Sequence, residues 1–435
     1  MNQIALSSND VSISYSELHN HLESKIKKLR QHGLTNHRVM IIGQADYKTV
    51  DDYLWVLAVI ENGGCAATGT TKFSQTELKG RLDAGNITAV VRDGEITICK
   101  DTKQKTKLSD EIYLCFTSGS TRKKYYECYP YTFHRSGHYG TSIDDCVDLA
   151  KTIGCNEPLV QLYEAGFEVA YGVDTFLKSY QTRGRFHILN ELETVNNTIE
   201  NINVNYISGF PNSIKRLIEK INVAIPYWEL GGGYFSKSLI ESIFQKASAK
   251  AVCNLFASAK SGYTLYSVIN STNDIDEIYK LKPTGFTEIS IQQKELYYKP
   301  QLEDWSTDHD LFDAVDDKFV YVGRSSDSFF NFENGIKIYS NEIENHALQF
   351  ANIVEAYIGP NNTSTFHDLY ICTSKNFNLL DFVEHVKKLP IYKRPKRIFH
   401  VHNNFFDIDV KVSRLKLSSN LEKNNNACID KIVLK

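Results

Sequence analysis

Segments with strand-like and helix-like hydrophobic patterns alternate through about the first three hundred residues, and this alternation restricts the fold more than any other feature. A capping box at Ser14 and Glu17 begins a helical pattern that ends at Gly33. A buried-type strand follows over residues 39–42, and a second helical pattern covers residues 50–60. Alternation of this kind predicts an α/β fold with mostly parallel sheets covered by helices.

The length and one change of composition indicate two domains. A chain of 435 residues exceeds the usual size of one domain. An apolar stretch over residues 319–322 is followed by small or polar residues over 323–328, which is the composition of an interdomain linker. We therefore predict domains over residues 1–323 and 324–435. A long surface loop within one domain is the alternative interpretation.

Composition and charge argue against several classes of function. The formal net charge is −3 and the basic residues are scattered, so we expect no nucleic-acid partner. The longest purely apolar run, residues 53–60, is far too short to span a bilayer, and no secretory signal is recognisable at the N-terminus. We therefore expect a cytoplasmic protein without a membrane partner.

The spacing of cysteines and histidines predicts no metal site. The nine cysteines are spread singly, without a C-x-x-C pair, which predicts reduced thiols and argues against disulfides and structural zinc. His400 and His402 could share one strand face, but no third candidate ligand lies near them in the sequence. No residue is therefore predicted as a metal ligand.

A hydroxyl-rich loop follows a short apolar strand over residues 112–114. Its sequence, C-F-T-S-G-S-T over residues 115–121, is followed at once by Arg122, Lys123 and Lys124. Backbone N–H groups, hydroxyls and cations in one turn are what a phosphate group requires. The usual nucleotide-binding P-loop motif is absent. An ordinary surface turn is the alternative for this loop taken alone.

The loop resembles the T-S-G-[ST]-T-G-x-P-K motif of the adenylate-forming superfamily, which includes acyl-CoA synthetases, luciferases and the adenylation domains of nonribosomal peptide synthetases. Other segments resemble further motifs of this family and follow in the family's order. They are I-S-G-F-P at 207–211, L-G-G-G at 230–233, N-L-F-A-S-A-K-S-G at 254–262, D-H-D-L at 308–311 with G-R at 323–324, N-G-I-K-I at 334–338 with E-I-E at 342–344, and L-P-I-Y-K-R-P-K at 389–396 with D-V-K-V-S-R-L-K-L at 409–417. The resemblance covers nearly the whole chain.

The resemblance implies a diverged, compact, stand-alone member with the adenylate-forming enzyme fold. In that fold a large N-terminal portion with helix-covered mixed sheets binds ATP and substrate, and a small α+β C-terminal domain moves. The implied reaction is activation of a small carboxylic acid by ATP, with Mg²⁺, to give an acyl-AMP and pyrophosphate. The acyl group then passes to a thiol of coenzyme A or of a separate acyl or peptidyl carrier protein.

The resemblance also implies roles for individual residues. Lys411 is the implied catalytic residue, which reaches the α-phosphate and the substrate carboxylate, and Ser326 is the implied hinge. Asp310 and Arg324 are implied at the ribose. The other implied nucleotide contacts are Thr117, Ser118, Gly119, Ser120, Thr121, Lys124, Phe256, Ala257, Ser258 and Lys260.

Three residues are implied at the acyl substrate. Gly231 and Gly232 lie in the family's glycine turn, and Glu168 falls where amino-acid-activating domains have F-D-x-S, whose Asp binds the substrate amine. Glu168 keeps the negative charge, so an amino acid is one candidate substrate. An exposed acid without a substrate role is the alternative interpretation of Glu168.

Several positions depart from the family's pattern. Arg122 replaces a Gly, Ala259 replaces a Thr expected at the α-phosphate, and Lys260 replaces the Glu that helps to hold magnesium. Metal dependence is therefore open: either Lys260 supplies charge to the phosphates, or the site has decayed and the protein binds or regulates without turnover. Retention of the implied ribose and catalytic residues favours activity. An aryl- or fatty-acyl-CoA ligase is a further alternative.

Overall fold

The computed structural model describes residues 3–44, 48–107, 110–116, 127–135, 141–163, 167, 170–233, 235–299, 304–325, 328–331, 336–360, 367–374, 377–402, 405–406, 417–424 and 427–434. The chain forms two compact units. The first comprises Met1–Ile289 and Tyr298–Ser306, and the second comprises Ser290–Tyr297 and Thr307–Lys435. Each unit contains its own hydrophobic core.

Side-chain caps fix the starts of the first two helices. The Ser14 hydroxyl accepts a hydrogen bond from the Glu17 backbone N–H, and the Glu17 carboxylate accepts one from the Ser14 N–H at 2.9 Å. Thr49 and Asp52 form the same reciprocal box, as expected for backbone N–H groups that a helix leaves unpaired.

The helices are α1 (Tyr15–Gln31), α2 (Val50–Glu61), α3 (Gln75–Ala84), α4 (Ile143–Ile153), α5 (Ala170–Gln181), α6 (Val195–Ile202), α7 (Pro211–Lys220), α8 (Lys237–Ala247), α9 (Ser340–Leu348), α10 (Leu379–Val386) and α11 (Leu417–Lys423). Within the described residues, no helix combines the length and apolar character needed to cross a membrane.

The first unit is built on two mixed sheets. Its strands are β1 (Ile4–Ser7), β2 (Ser12–Ser14), β3 (Arg38–Gly43), β4 (Cys65–Thr70), β5 (Ala89–Arg92), β6 (Glu95–Ile98), β7 (Tyr113–Phe116), β8 (Cys128–Thr132), β9 (Thr141–Ser142), β10 (Val160–Tyr163), β11 (Arg185–Ile188), β12 (Tyr206–Gly209), β13 (Tyr227–Gly231), β14 (Ala251–Ser258), β15 (Gly262–Ile269) and β16 (Lys280–Pro283). One sheet has the order β6-β5-β3-β4-β7-β8-β9. In the other, the strands of this unit follow the order β2-β1-β11-β10-β12-β13-β14-β15-β16.

Parallel pairing dominates the centre of both sheets. In the second of them it runs without interruption from β1 through β11, β10, β12 and β13 to β14, and pairing becomes antiparallel at β15 and β16. In the first, β5, β3, β4 and β7 are parallel. Helices α1, α2, α4 and α5 contribute buried apolar residues to a core shared with strands of both sheets. The predicted helix-covered α/β architecture is therefore confirmed.

The second unit is a smaller α+β body. Its strands, with the hairpin that leads into it, are β17 (Glu288–Gln292), β18 (Glu295–Lys299), β19 (Asp310–Val315), β20 (Lys318–Arg324), β21 (Ser328–Asn331), β22 (Ile336–Tyr339), β23 (Ile353–Pro360), β24 (His367–Thr373), β25 (Arg397–Val401) and β26 (Cys428–Val433). β23 to β26 form one sheet in chain order, and α9 and α10 pack apolar residues against it. β18, β19 and β20 are joined by antiparallel pairing.

The predicted linker over residues 323–328 is partly wrong. Gly323 and Arg324 are the last residues of β20, and they pair with Leu311 and Asp310 of β19. Backbone pairing with a distant segment overrides the small and polar composition, which by itself favours a loop. The predicted division into moving bodies at residue 323 stays a prediction.

Candidate active site

Three neighbouring parallel strands of the first unit end at one edge, and three of the predicted motifs lie there. β12 ends at Gly209, β13 ends at Gly231, and β14 continues to Ser258. The register places Gly209 beside Leu230 and Gly231 beside Leu255. Because open α/β sheets bind ligands outside the carboxyl ends of their parallel strands, this edge is the candidate site.

The glycine turn after β13 leaves room at this edge. Gly232 has a φ of +74°, and a Cβ at this residue would lie 2.5 Å from the Phe210 ring, so both the backbone and the space require glycine. At Gly231 an added Cβ would meet the Leu255 carbonyl oxygen at 3.4 Å and the Tyr171 hydroxyl at 3.6 Å. The missing side chain at residue 231 therefore leaves a space of about methyl size that Tyr171 borders.

The predicted nucleotide-contact segment forms the end of β14 and the turn after it. Residues 256–258 are partly buried. The Ser258 hydroxyl accepts a hydrogen bond from the Ser261 backbone N–H at 3.0 Å, which closes the turn that contains Lys260. The Lys260 ammonium is partly buried and donates to the Ser306 hydroxyl. Lys260 is thus held at a fixed place rather than moving freely in solvent.

Glu229, two residues before Gly231, belongs to a cluster of buried charged residues that the sequence motifs do not predict. We name it the buried ion cluster and define it as Asp174 and Lys178 of α5 with Glu229 of β13. Their exposed fractions are 1%, 0% and 0%. The Lys178 ammonium donates to both Glu229 carboxylate oxygens at 3.1 Å, and to the Ser208 hydroxyl at 3.2 Å. Buried charges of this kind depend on their partners, because an unpaired charge in the interior is strongly unfavourable.

Three tyrosine hydroxyls complete the hydrogen bonding of the buried ion cluster. Tyr206 donates to Glu229 Oε2 at 2.8 Å, and Tyr171 donates to Glu229 Oε1 at 2.7 Å. The Tyr263 hydroxyl lies 3.2 Å from Asp174 Oδ2 and 3.4 Å from Glu229 Oε1. Tyr206 and Tyr263 are buried, whereas Tyr171 is partly exposed. Tyr171 therefore connects the cluster with the candidate site.

The charge of the buried ion cluster depends on pH. Burial raises the pKa of Asp174 to about 7, although the neighbouring Lys178 ammonium opposes this shift. Burial alone lowers the pKa of Lys178, but the Glu229 and Asp174 carboxylates outweigh burial and raise that pKa above its ordinary value. Lys178 therefore stays charged through the physiological range, while Asp174 takes up or releases a proton near neutrality.

Replacing Asp174 with asparagine is expected to change how stability depends on pH. The folded-state pKa of about 7 lies above the ordinary value of 3.8, so the folded protein keeps a proton that the unfolded chain releases. This contribution to stability is present below about pH 4 and is lost as the pH rises to about 7. Urea unfolding should show Asp174→Asn gaining about 2 kcal/mol relative to wild type between about pH 5 and pH 8.

The control for this comparison is Asp276→Asn. Asp276 is paired with Lys237, and its side chain is 72% exposed. The stability difference between Asp276→Asn and wild type should stay constant over the same pH range, because exposed pairs contribute little to folding. A constant difference for Asp174→Asn as well would contradict the raised pKa of Asp174.

In the second unit, the two predicted ribose contacts form a bidentate ion pair. Asp310 begins β19 and Arg324 ends β20, and the register places them opposite each other. Arg324 Nε lies 3.1 Å from Asp310 Oδ1, and Arg324 Nη2 lies 3.0 Å from Oδ2. The Tyr321 hydroxyl donates to Oδ1 at 3.1 Å. Burial raises the pKa of Asp310, and the hydrogen bond and charge of Arg324 act against this rise.

The two members of this pair differ in exposure. The Asp310 side chain is 3% exposed and the Arg324 side chain is 27% exposed. Three hydrogen bonds from described residues leave one acceptor position on the Asp310 carboxylate. Arg324 is therefore the more exposed member of the pair, and the ribose contacts of both residues stay predictions.

The side chains that a magnesium ion prefers do not cluster in the described part of the chain. There, no group of three His, Cys, Asp or Glu side chains is placed to hold a metal ion. Lys260, where the resembling family has a magnesium-binding Glu, is itself a cation.

The other predicted site residues lie outside the described residues, so their roles stay predictions. β7 ends at Phe116, directly before the predicted phosphate loop, and α5 begins at Ala170, two residues after the predicted amine-binding acid. The residues concerned are Thr117, Ser118, Gly119, Ser120, Thr121, Lys124, Glu168, Ser326 and Lys411.

Two signals in the sequence could have found the buried ion cluster. Glu229 is the one charged residue in the strand sequence Y-W-E-L-G. Tyr171, Asp174 and Lys178 recur at intervals of three and four residues, which places them on one face of a helix. Charged residues at core positions are rare unless they are paired, so the two signals together indicate an internal ion pair.

Comparison with known proteins adds evidence at the level of structure. No protein-family model and no curated protein sequence matches the chain. Solved structures do match. The o-succinylbenzoate CoA synthetase of Bacillus subtilis, in complex with the acyl-adenylate intermediate OSB-AMP, is 18% identical with a TM-score of 0.73, and the match covers 92% of each chain.

Two further solved structures are similar over comparable lengths. Klebsiella oxytoca NpsA, in complex with 3-hydroxyanthranilyl-AMSN, is 15% identical with a TM-score of 0.75, and the match covers 97% of this chain and 96% of that one. The amide bond synthetase McbA of Marinactinospora thermotolerans is 14% identical with a TM-score of 0.73, covering 92% and 93%. The chain therefore has the fold of the adenylate-forming enzymes, as its motifs imply.

Proposed function

We propose that the protein activates a small carboxylic acid with ATP, forming an acyl-AMP and releasing pyrophosphate, and then transfers the acyl group to a thiol. The observation that carries the proposal is the meeting of three motifs of the adenylate-forming enzymes at the carboxyl edge of β12, β13 and β14, in a chain with their fold. The Bacillus subtilis synthetase has also been solved with ATP and a magnesium ion, which supports both for this chain.

The first step joins two anions, and the proposed residues stabilise their negative charge. A carboxylate oxygen forms a bond to the α-phosphorus of ATP, the bond between that phosphorus and the bridging oxygen breaks, and pyrophosphate leaves. The hydroxyls and N–H groups of residues 117–121 would hold the β- and γ-phosphates, and Lys411 would lie between the α-phosphate and the carboxylate. Arg324 would donate to the nucleotide near the ribose. Magnesium, when bound, supplies further neutralisation of phosphate charge.

The second step needs a nucleophile and a rearrangement of the site. A thiolate attacks the acyl carbon, AMP leaves, and a thioester results. A structure of a double mutant of the Bacillus subtilis synthetase with its product analogue OSB-NCoA supports coenzyme A as the acceptor, and a separate carrier protein is the second candidate. We place the hinge between the two steps at Ser326 and the moving domain at residues 324–435, in a cytoplasmic protein.

The proposed substrate is a small acid, and Glu168 makes an amino acid or another amine-bearing acid one candidate. In the sequence Glu168 lies two residues before the start of α5, whose first turn includes Tyr171 beside the candidate site. A carboxylate there would pair with a substrate ammonium. If Glu168→Gln leaves amino-acid activation unchanged, this candidate is wrong, and an aryl or fatty acid replaces it.

Pyrophosphate release with ATP tests the proposed function. The assay uses amino acids, aryl acids and fatty acids in parallel, with hydroxylamine to trap the activated acyl group as a hydroxamate. Release that depends on one class of acid supports adenylation and identifies the substrate class. Absence of release with every acid, while the protein still binds ATP, contradicts it.

ATP binding without pyrophosphate release would favour a binding or regulatory protein with this fold. Two observations favour it: Lys260 stands where the resembling family has a metal-binding acid, and the Asp310 side chain is buried and already paired with Arg324. Retention of both ribose residues and of Lys411 in one chain supports turnover instead.

Replacing Lys260 with glutamate is expected to lower pyrophosphate release about 100-fold at limiting magnesium, because the variant removes a cation from the phosphates and adds an anion. High magnesium should restore part of the rate, since the new carboxylate can bind the metal. Lys237→Glu, at an exposed lysine of α8, is the matched control. An unchanged rate and an unchanged magnesium dependence in Lys260→Glu would show that Lys260 has no phosphate role.

A further inference from the structure

The Tyr171 hydroxyl is the feature of the candidate site that the motifs do not assign. Its hydrogen is committed, because Tyr171 donates to Glu229 Oε1 at 2.7 Å. Glu229 holds that position rigidly, since Lys178 and Tyr206 fix both of its carboxylate oxygens. A second contact to the Glu229 carbonyl oxygen, at 3.3 Å, also uses the hydrogen and not the lone pairs.

The Tyr171 hydroxyl oxygen lies beside Gly231 of the candidate site. In the part of the chain that the structure describes, no N–H or O–H group donates to the Tyr171 oxygen. The oxygen lies 3.6 Å from where a Cβ at Gly231 would be, so it borders the space that the glycine leaves. The Tyr171 side chain is partly exposed, and its ring packs on Phe210 with the ring centres 5.1 Å apart.

The ionisation state of Tyr171 preserves this arrangement. Burial raises the pKa of the Tyr171 phenol, and the negative charge of Glu229 raises it further. The phenol therefore stays protonated and keeps donating to Glu229. A tyrosine that already donates its one hydrogen acts toward any other group only as an acceptor.

We infer that Tyr171 is a specificity-determining residue of the acyl site, which selects a carboxylic acid that carries an amino or hydroxyl group pointing at the Gly231 space. This inference rests on the proposed function. An N–H or O–H of the substrate donates to the Tyr171 oxygen, whereas an apolar acid of the same shape leaves that acceptor unpaired. We expect the loss in kcat/KM for the apolar acid to be about 10- to 100-fold.

The test compares acids that carry a donor with isosteres that carry a methyl group in its place. The pairs are 2-aminobenzoate with 2-methylbenzoate, 3-hydroxybenzoate with 3-methylbenzoate, and L-leucine with 2,4-dimethylpentanoate, each assayed by pyrophosphate release. Wild type should prefer the donor-bearing acid of its best pair by about 10- to 100-fold. In Tyr171→Phe this preference should fall to about threefold or less, mainly through slower turnover of the donor-bearing acid.

Tyr206→Phe is the matched control. It removes the same kind of hydrogen bond, from a phenol to Glu229 at 2.8 Å, but Tyr206 is fully buried. Tyr206→Phe should therefore lower stability and keep the preference of wild type between the two acids. Equal preference ratios in the two variants, or a wild-type preference for the methyl acid, would overturn the role of Tyr171.

Gly231→Ala tests the same idea without touching the buried ion cluster. The new methyl would lie 3.6 Å from the Tyr171 hydroxyl and would shield it from substrate. Gly231→Ala should also lose the preference for the donor-bearing acid over its methyl isostere. It therefore still tests the inference if Tyr171→Phe fails to fold. Absence of pyrophosphate release by wild type with every acid would reject the proposed function and the inference with it. If wild type releases pyrophosphate, but Tyr171→Phe and Gly231→Ala keep its preference ratio between the two acids, the inference about Tyr171 is wrong and the proposed function stands.

Discussion

Replacing Lys178 with methionine is expected to lower the free energy of unfolding by about 3–5 kcal/mol. Lys178 is fully buried and donates to both oxygens of Glu229. Methionine keeps most of the side-chain length, but it leaves the Glu229 carboxylate in the interior without a positive partner. Asp174 can respond by staying protonated, because burial raises its pKa to about 7.

Urea unfolding at neutral pH measures this effect, with Lys237→Met as the control. Lys237 is also paired with a carboxylate, but its side chain is 51% exposed, so its loss should cost less than about 1 kcal/mol. The double variant Lys178→Met with Glu229→Gln should recover part of the stability, because it removes both charges. A loss at Lys178 no larger than at Lys237 would mean that the cluster is not a buried ion pair.

Replacing Lys411 with alanine is expected to lower the rate of pyrophosphate release by about 100- to 1,000-fold. The proposed step joins a carboxylate to a phosphate, and a mobile ammonium with three donors can bridge the two anions. The loss should appear in kcat rather than in KM for ATP, because the charge is needed mainly as the new bond forms.

The second half of the reaction gives the control for Lys411. We propose that movement of the C-terminal domain about Ser326 carries Lys411 away from the site after the first step. Acyl-AMP supplied directly should therefore still react with coenzyme A at close to the wild-type rate. Lys416→Ala, in the same segment, should leave both half-reactions near wild type. Equal losses in both half-reactions of Lys411→Ala would indicate a structural rather than a catalytic role.

Elements of this fold that depend on neighbouring residues could be predicted from the sequence. The first helix follows from the capping box at Ser14 and from apolar residues at helical spacing, and the structure has it at Tyr15–Gln31. The second helix begins at Val50, as predicted. Capping and periodicity act over a few residues, so the sequence displays both directly.

Features that depend on distant residues were not visible in the same way. Gly323 and Arg324 have the composition of a linker, but they form a strand because Leu311 and Asp310 pair with them. The resemblance implies that Asp310 and Arg324 both lie near the ribose, and this role stays a prediction. The structure joins the two residues in one ion pair and buries the Asp310 side chain, which no local motif predicts.

The buried ion cluster shows the limit of pattern reading for the site. Asp174 and Lys178 look like an ordinary exposed pair at helical spacing. Only the packing of α5 on β12 and β13 places them beside Glu229 with no access to solvent. The consequence for Tyr171, whose hydrogen is committed to Glu229, follows from that packing and from no local motif.

The path of a carboxylate oxygen tests the central claim most directly. The best acid is labelled with ¹⁸O in both carboxylate oxygens and incubated with the protein, ATP and coenzyme A, and the products are analysed by mass spectrometry. If the carboxylate attacks the α-phosphorus, each AMP carries one ¹⁸O and the other stays in the thioester. If the label appears in orthophosphate, with ADP as the nucleotide product, the acid was activated as an acyl phosphate and the proposed adenylation is wrong.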